Sequence, residues 1–228
     1  MNKLKTLLMA VIAISVLSTN AFAGQFGVGV AGSLIAISAD GIEKDADGSA
    51  DTSVRSATAG ENAYIGSIFA EYQLDNGFAI GVDYIPGSAD VNRKTIKRTD
   101  DSTESAQDGD RSANAEIENH FTYYAELPIH GGLYVKGGYT QMDVNSKEKF
   151  TGTGGNTYGN ATVDGVLFGL GYRNSFGDSG FYKVEGTHTE YDTLTLTSTK
   201  TVSTGDKANK ITADLDVSKI SFAVGFNF

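Results

Sequence analysis

The chain closes on Ile220-Ser221-Phe222-Ala223-Val224-Gly225-Phe226-Asn227-Phe228, nine residues that alternate without a break and finish on an aromatic ring. In an extended strand successive side chains point to opposite faces. Ile220, Phe222, Val224, Phe226 and Phe228 therefore share one face, and Ser221, Ala223, Gly225 and Asn227 share the other. No later segment follows to cover the apolar face, and the expectation is that lipid covers it.

Read backwards from there, the same alternation recurs. It predicts strands at about 25–39, 62–74, 78–86, 115–127, 133–144, 163–173, 181–191 and 211–228. Asp75-Asn76-Gly77 reads as a tight hairpin turn, because Asn-Gly adopts the positive φ such turns require. Pro86 lacks the N–H that a ladder needs and marks the end of the third strand. Segments 128–132 and 174–180 read as the other short turns. Long polar gaps, about 40–61, 87–114, 145–161 and 192–210, follow the first, third, fifth and seventh strands. The last of these is Thr-rich, with some β-character of its own.

Eight strands with gaps that alternate long and short predict an all-β fold: an antiparallel up-and-down transmembrane β-barrel, with short periplasmic turns and long extracellular loops. A soluble sandwich does not need its loop lengths to alternate so strictly. One face of the strands bears almost only Phe, Tyr, Val, Ile, Leu, Ala and Gly, as a lipid-facing surface must. Tyr72, Phe78, Tyr172, Tyr182 and Phe226 near the short turns, and Tyr64, Tyr84 and Tyr139 toward the long loops, suit interfacial girdles.

The other face collects Glu71, Asp83, Glu118, Glu126 and Glu185 with Lys136, Arg173, Lys183 and Lys219. An eight-stranded barrel is just wide enough for side chains to fill it, and charges enclosed there must pair. The expectation is a mutually neutralising network that plugs the lumen. Arg173 is its expected hub, because a planar fork can serve two carboxylates. A channel lined by the same groups, a small low-conductance pore, is the alternative.

The amino-terminus reads as an export signal: basic Lys3 and Lys5, an apolar run from Thr6 to Leu17 too short to span a bilayer, and the small-x-small pattern Ala21-Phe22-Ala23. Cleavage after Ala23 leaves residues 24–228 as one barrel domain. Without Lys3 and Lys5, 16 basic residues face 28 acidic ones, a balance that argues against nucleic acid as a partner. There is no cysteine, so disulfides and thiolate metal sites play no part. No apolar run after the signal reaches helix-spanning length, so any membrane crossing is by a closed sheet.

The signal, the eight alternating segments, the terminal Phe228 and stretches such as L-D-N-G-F-A-I-G-V-D-Y and G-L-G-Y-R resemble the small eight-stranded bacterial outer-membrane barrels, among them the OmpA transmembrane domain and OmpX. The resemblance implies a place in the cell outer membrane of a Gram-negative cell, in contact with lipid and lipopolysaccharide. It also implies that Ile220, Phe222, Val224, Phe226 and Phe228 are read by the outer-membrane assembly machinery. Group members serve as surface-interaction proteins, envelope stabilisers and small pores, so the motifs speak for architecture more than for role.

Other features carry less. A surface lipid or peptide hydrolase is a minor alternative, but no histidine (His120, His130, His188) has a serine two residues on, as the resembling lipid A deacylases would require. No enzymatic activity and no cofactor are expected. Asp45-x-Asp47-Gly48-x-x-Asp51 has the look of a calcium loop, yet Ser56 stands where a twelfth-position Glu should be, and a solvated acidic loop is the simpler reading. Arg93, Lys94, Lys97 and Arg98 form the one dense basic stretch. It is either an ordinary loop or a contact for lipopolysaccharide phosphates. Long loops on a rigid support suit an unknown extracellular ligand, and the charge-free outer faces suit a monomer.

Overall fold

The computed structural model describes residues 24–44, 54–90, 96–100, 109–150, 157–201 and 208–228. The export signal, the Asp45–Asp51 stretch, Arg93 and Lys94 lie outside the described residues. Within them the alternating segments form β1 (Gly24–Lys44), β2 (Val54–Leu74), β3 (Ala79–Asp90), β4 (Ile96–Asp100), β5 (Gly109–His130), β6 (Leu133–Phe150), β7 (Asn160–Phe176), β8 (Gly180–Tyr191), β9 (Leu194–Thr201) and β10 (Ala208–Asn227). Eight of them run antiparallel in the order β1-β2-β3-β5-β6-β7-β8-β10, and β10 pairs back onto β1 to close the ring. At the seam Phe26 and Phe228 exchange both backbone hydrogen bonds, at 3.2 and 2.9 Å.

The strands outrun their apolar stretches. β1 and β2 stay in register from Gly24↔Leu74 to Lys44↔Val54, five residues past the expected end of the first strand. β4 and β9 fall inside segments expected to be loops, and both stand off the ring, β4 on β5 and β9 on β10. In β9 the reason is local: Leu194, Leu196 and Ser198 face one way while β-branched Thr195, Thr197 and Thr199 face the other, a half-buried strand pattern. Lys97 and Arg98 belong to β4 rather than to a loop, opposite Ser112 and Arg111.

At the short-turn end Gly77 takes φ 85°, its N–H bonds the Leu74 carbonyl, and Asn76 Oδ1 accepts the Phe78 N–H. Outward-facing side chains above these turns form a band free of Asp, Glu, Lys and Arg. Ile220 is 66 % exposed and Leu170 61 %. Acidic side chains first appear on the outer face higher up, at Asp143, Asp164, Glu190 and Asp216.

Two irregularities sit at one height. β3 bulges between Ile85 and Ser88, where Pro86 and Gly87 (φ 87°) fall, and β5 bulges around Asn119, whose φ is 51°. Asn119 is held there by Asp143, whose Oδ2 accepts its side-chain amide at 3.0 Å. The β5 bulge resets the alternation, so Ile117 turns in to pack on Met142 and Val144. Glu118, placed inside by strict alternation, instead stands opposite outward-facing Asp143. At this height β2 and β3 also part. They pair only from Gln73↔Ala79 to Ile68↔Tyr84, after which β2 follows β1 and β3 follows β5.

Candidate functional site

Four aromatic rings share the turn-side half of the lumen with its charges. Phe69 and Phe181 pack with Ala223 and Ala31. Tyr124 and Tyr134 also reach inward, 2 % and 4 % exposed. Each of these four rings lies directly across from a glycine: Gly29↔Phe69, Gly81↔Tyr124, Gly171↔Tyr134 and Gly225↔Phe181. A Cβ on any of those glycines would overlap the facing ring. The glycines that blur the sequence pattern are thus the space into which large side chains fold. Phe69, Phe181 and Tyr134 were missed by a search for charges, although an inward glycine opposite an aromatic was a usable signal.

Among these rings lies an ion-pair network. Lys183 Nζ donates to Glu71 Oε2 at 2.7 Å and to Glu126 Oε1 at 2.8 Å, and lies 3.7 Å from Glu185 Oε1. Lys136 Nζ bonds both oxygens of Glu185 at 2.9 Å and approaches Glu126 at 3.6 Å. Arg173 pairs with Glu71 and donates to Asn227 Oδ1 at 3.2 Å. Tyr124 and Tyr134 donate their hydroxyls to Glu71 (2.9 Å) and Glu185 (2.6 Å). The cations also cover ring faces, Lys136 over Tyr124 at 3.8 Å and Arg173 over Phe181 at 3.7 Å.

Three acids and three bases thus meet, with no net charge among them. Their hub is Lys183 rather than Arg173. Three carboxylates converging on one buried point leave room for a compact ammonium, whereas the guanidinium lies nearer the turns and spends its fork on Glu71 and Asn227.

Three other expected members stand apart from the network. Glu118, opposite Asp143 at the bulge, borders the cavity above the network instead of joining it. Asp83 accepts from Ser67 at 2.7 Å, while its other oxygen is buried without a partner. Lys219, inward and opposite Thr187, makes no ion pair among the described residues.

Asp83 and Lys219 belong to a second, polar belt above the network. Thr122 donates to Thr140 at 3.2 Å, and Thr140 donates to the Phe121 carbonyl at 3.0 Å. His120 Nε2 lies 2.9 Å from the Tyr191 hydroxyl. His120 Nδ1 and Thr187 Oγ1 are buried without hydrogen-bond partners among the described residues. Higher still, Met142, Val144, Val163 and Tyr191 form an apolar cluster backed by Ile117, Leu215 and Val217.

Between belt and cluster lies a cavity of about 260 Å³. Its lining includes inward-facing Ile35 and Ile65, and also Tyr64, Gly66, Pro86 and Gly87 on the margins of the parted strands. The cavity therefore reaches through the wall between β2 and β3. Among the described residues no cluster of His, Asp or Glu is suited to a metal ion.

The chain matches no family model and no curated protein. Among solved structures it is similar to the outer membrane protein OprG from Pseudomonas aeruginosa, with 11 % identity, a TM-score of 0.52, and coverage of 91 % of this chain and 97 % of that one. Neisserial surface protein A matches with 12 % identity and a TM-score of 0.38, over 87 % of this chain and 99 % of that one. Ail of Yersinia pestis matches with 12 % identity and a TM-score of 0.33, over 90 % and 97 %. The OprG likeness fixes the fold as that of an outer-membrane-type barrel; the other two, at those TM-scores, add no argument.

Proposed function

We propose that this chain is an integral outer-membrane β-barrel with a structural or surface-interaction role, its lumen sealed to axial flow by the network centred on Lys183. Support for the membrane placement is the uncharged outer band, with Leu170 and Ile220 exposed and acids only above it. A Lys or Arg at the middle of such a face would cost about 2–4 kcal/mol, and none stands there. Phe228, paired to Phe26 at the seam, ends the strand proposed to be read during assembly.

The observation that carries the sealed lumen is the six-membered ion-pair network itself. Glu71, Glu126, Lys136, Lys183 and Glu185 are each no more than 8 % exposed. Their partners are one another, so an ion passing along the axis would have to break several charge-assisted bonds. The surface role rests on the long segments beyond β1, β3, β6 and β8, carried by the closed ring of strands.

Planar-bilayer recording of the purified chain tests the seal. The expected record is electrically silent. Steady single-channel steps of large amplitude would overturn the seal in favour of a diffusion pore.

A further inference from the structure

His188 Nδ1 and Ser218 Oγ lie 3.1 Å apart, although 30 positions separate them along the chain. The ladder between β8 and β10 sets the two directly opposite each other on the outer face. A spacing rule along the chain cannot reveal such a pair, because it is made across strands. The row continues on both sides. Phe168 stands opposite His188, with ring centroids 5.3 Å apart, and Ala36 and then Asn62 follow beyond Ser218. Ser218, Ala36 and Asn62 are exposed and His188 is half-buried. The small Ala36 leaves open space between Ser218 and Asn62.

Height decides what meets this row. Strands rise about 3.3 Å per residue and tilt about 40°, so Ser218 stands roughly 25 Å above Phe228, at the top of a band about 25 Å tall. The row below it holds Leu170, Ile220 and Leu34, and the row above holds Glu190 and Asp216. Beneath the pair, a groove on the outer wall is lined by Leu34, Leu170, Gly186 and Ile220. Gly186 is its floor, between Leu170 and Ile220, and a Cβ there would meet nothing. An acyl chain lying in this groove sets its ester level with Ser218, because lipid esters sit where hydrocarbon gives way to the polar layer.

We propose that Ser218 and His188 are a nucleophile and its general base, and that they hydrolyse acyl esters of lipids in the surrounding leaflet. Ser218 Oγ adds to the ester carbonyl carbon as its proton passes to His188 Nδ1. The carbon–oxygen bond to the alcohol then breaks, and the departing oxygen takes that proton. Water adds to the acyl-Ser218 ester by the same route, freeing the serine and releasing a carboxylic acid. Glu190 and Asp216, one row above, set negative charge beside the imidazolium that forms in each transfer. Asn62 is placed to donate its amide to the carbonyl oxygen across the Ala36 gap. This activity goes beyond the structural role and rests on the membrane placement proposed above.

The test uses the full chain in vesicles of phosphatidylethanolamine and phosphatidylglycerol and, in parallel, in the same vesicles doped with lipopolysaccharide. Free fatty acid is measured by mass spectrometry, and the two arms separate phospholipid from glycolipid as the source of the ester. Wild type is expected to release fatty acid and to be labelled at Ser218 by a hexadecyl fluorophosphonate. Ser218→Ala should abolish both. His188→Phe, which keeps a ring against Phe168, should lower both by about 100-fold or more, the span of a general base. Gly186→Leu, which fills the groove and leaves the pair, should lose fatty-acid release yet keep labelling by a short ethyl fluorophosphonate. Absence of a Ser218 adduct on folded, heat-modifiable wild type overturns the proposal. So does release that Ser218→Ala leaves unchanged. Wild type that enters the vesicles and releases nothing overturns the hydrolase alone, whereas a chain that does not enter them sinks the membrane placement too.

Discussion

Lys183 Nζ lies 2.7 Å from Glu71 Oε2, joining residues 112 positions apart across the interior of the ring rather than along its wall. The contact ties β8 to β2, strands that share no ladder. Removing one partner of such a buried pair leaves an uncompensated charge, which is far costlier than removing both.

Lys183→Met should therefore destabilise the folded barrel by about 3–5 kcal/mol, measured by urea unfolding in lipid vesicles. Adding Glu126→Gln restores neutrality, with Glu71 and Glu185 facing Lys136 and Arg173. The double variant should lie well closer to wild type than the single. A strictly additive pair of losses would contradict a shared network.

Gly171→Val should sharply lower the yield of heat-modifiable, folded chain, because its side chain meets the Tyr134 ring. Overpacking of this kind costs about 1–3 kcal/mol or more. Combining it with Tyr134→Ala should recover folding, since the overlap is removed with the ring. Recovery by Tyr123→Ala, an outward ring on β5, which shares no ladder with β7, would argue against the cross-strand pairing as the cause.

Depth on the outer face should be readable as energy. Leu170→Arg, in the middle of the uncharged band, should cost about 2–4 kcal/mol in vesicles, and Ser38→Arg, near its upper edge, about 0–1 kcal/mol. Equal costs would mean that the band does not face hydrocarbon.

The β5 bulge should loosen in acid. Asp143 lies above the band, and hydrogen bonds from Thr162 and then Asn119 hold its carboxyl below the ordinary 3.8. A carboxyl with a lowered value stabilises the fold above its unfolded value, and that contribution fades as pH falls through the lower one. Amide hydrogen exchange at Asn119 and His120, referred to intrinsic rates, should quicken below about pH 4. Asp143→Asn should be faster at neutral pH and lack that acid step. An identical profile in both proteins would sink the link.

Much of this was legible in the chain. Strict alternation gave the outward face of β10 residue by residue, since a period of two leaves only two choices of side. The same rule placed Glu71, Glu126, Lys136, Lys183 and Glu185 inside. It failed at Glu118, because a bulge inserts one residue and inverts every side chain beyond it, and Asn119 carries no mark of that in sequence. It also missed β4 and β9, where polar β-formers make strands that no core requires.

The eight-stranded alternation, the uncharged exterior and the stock of enclosed charges are all written in short-range periodicity along the chain. Long-range geometry settles that Lys183 rather than Arg173 holds the centre, and that β2 and β3 part above Tyr84. Both depend on ring closure bringing distant strands together at one height. That depends in turn on bulges and register, which no local pattern encodes.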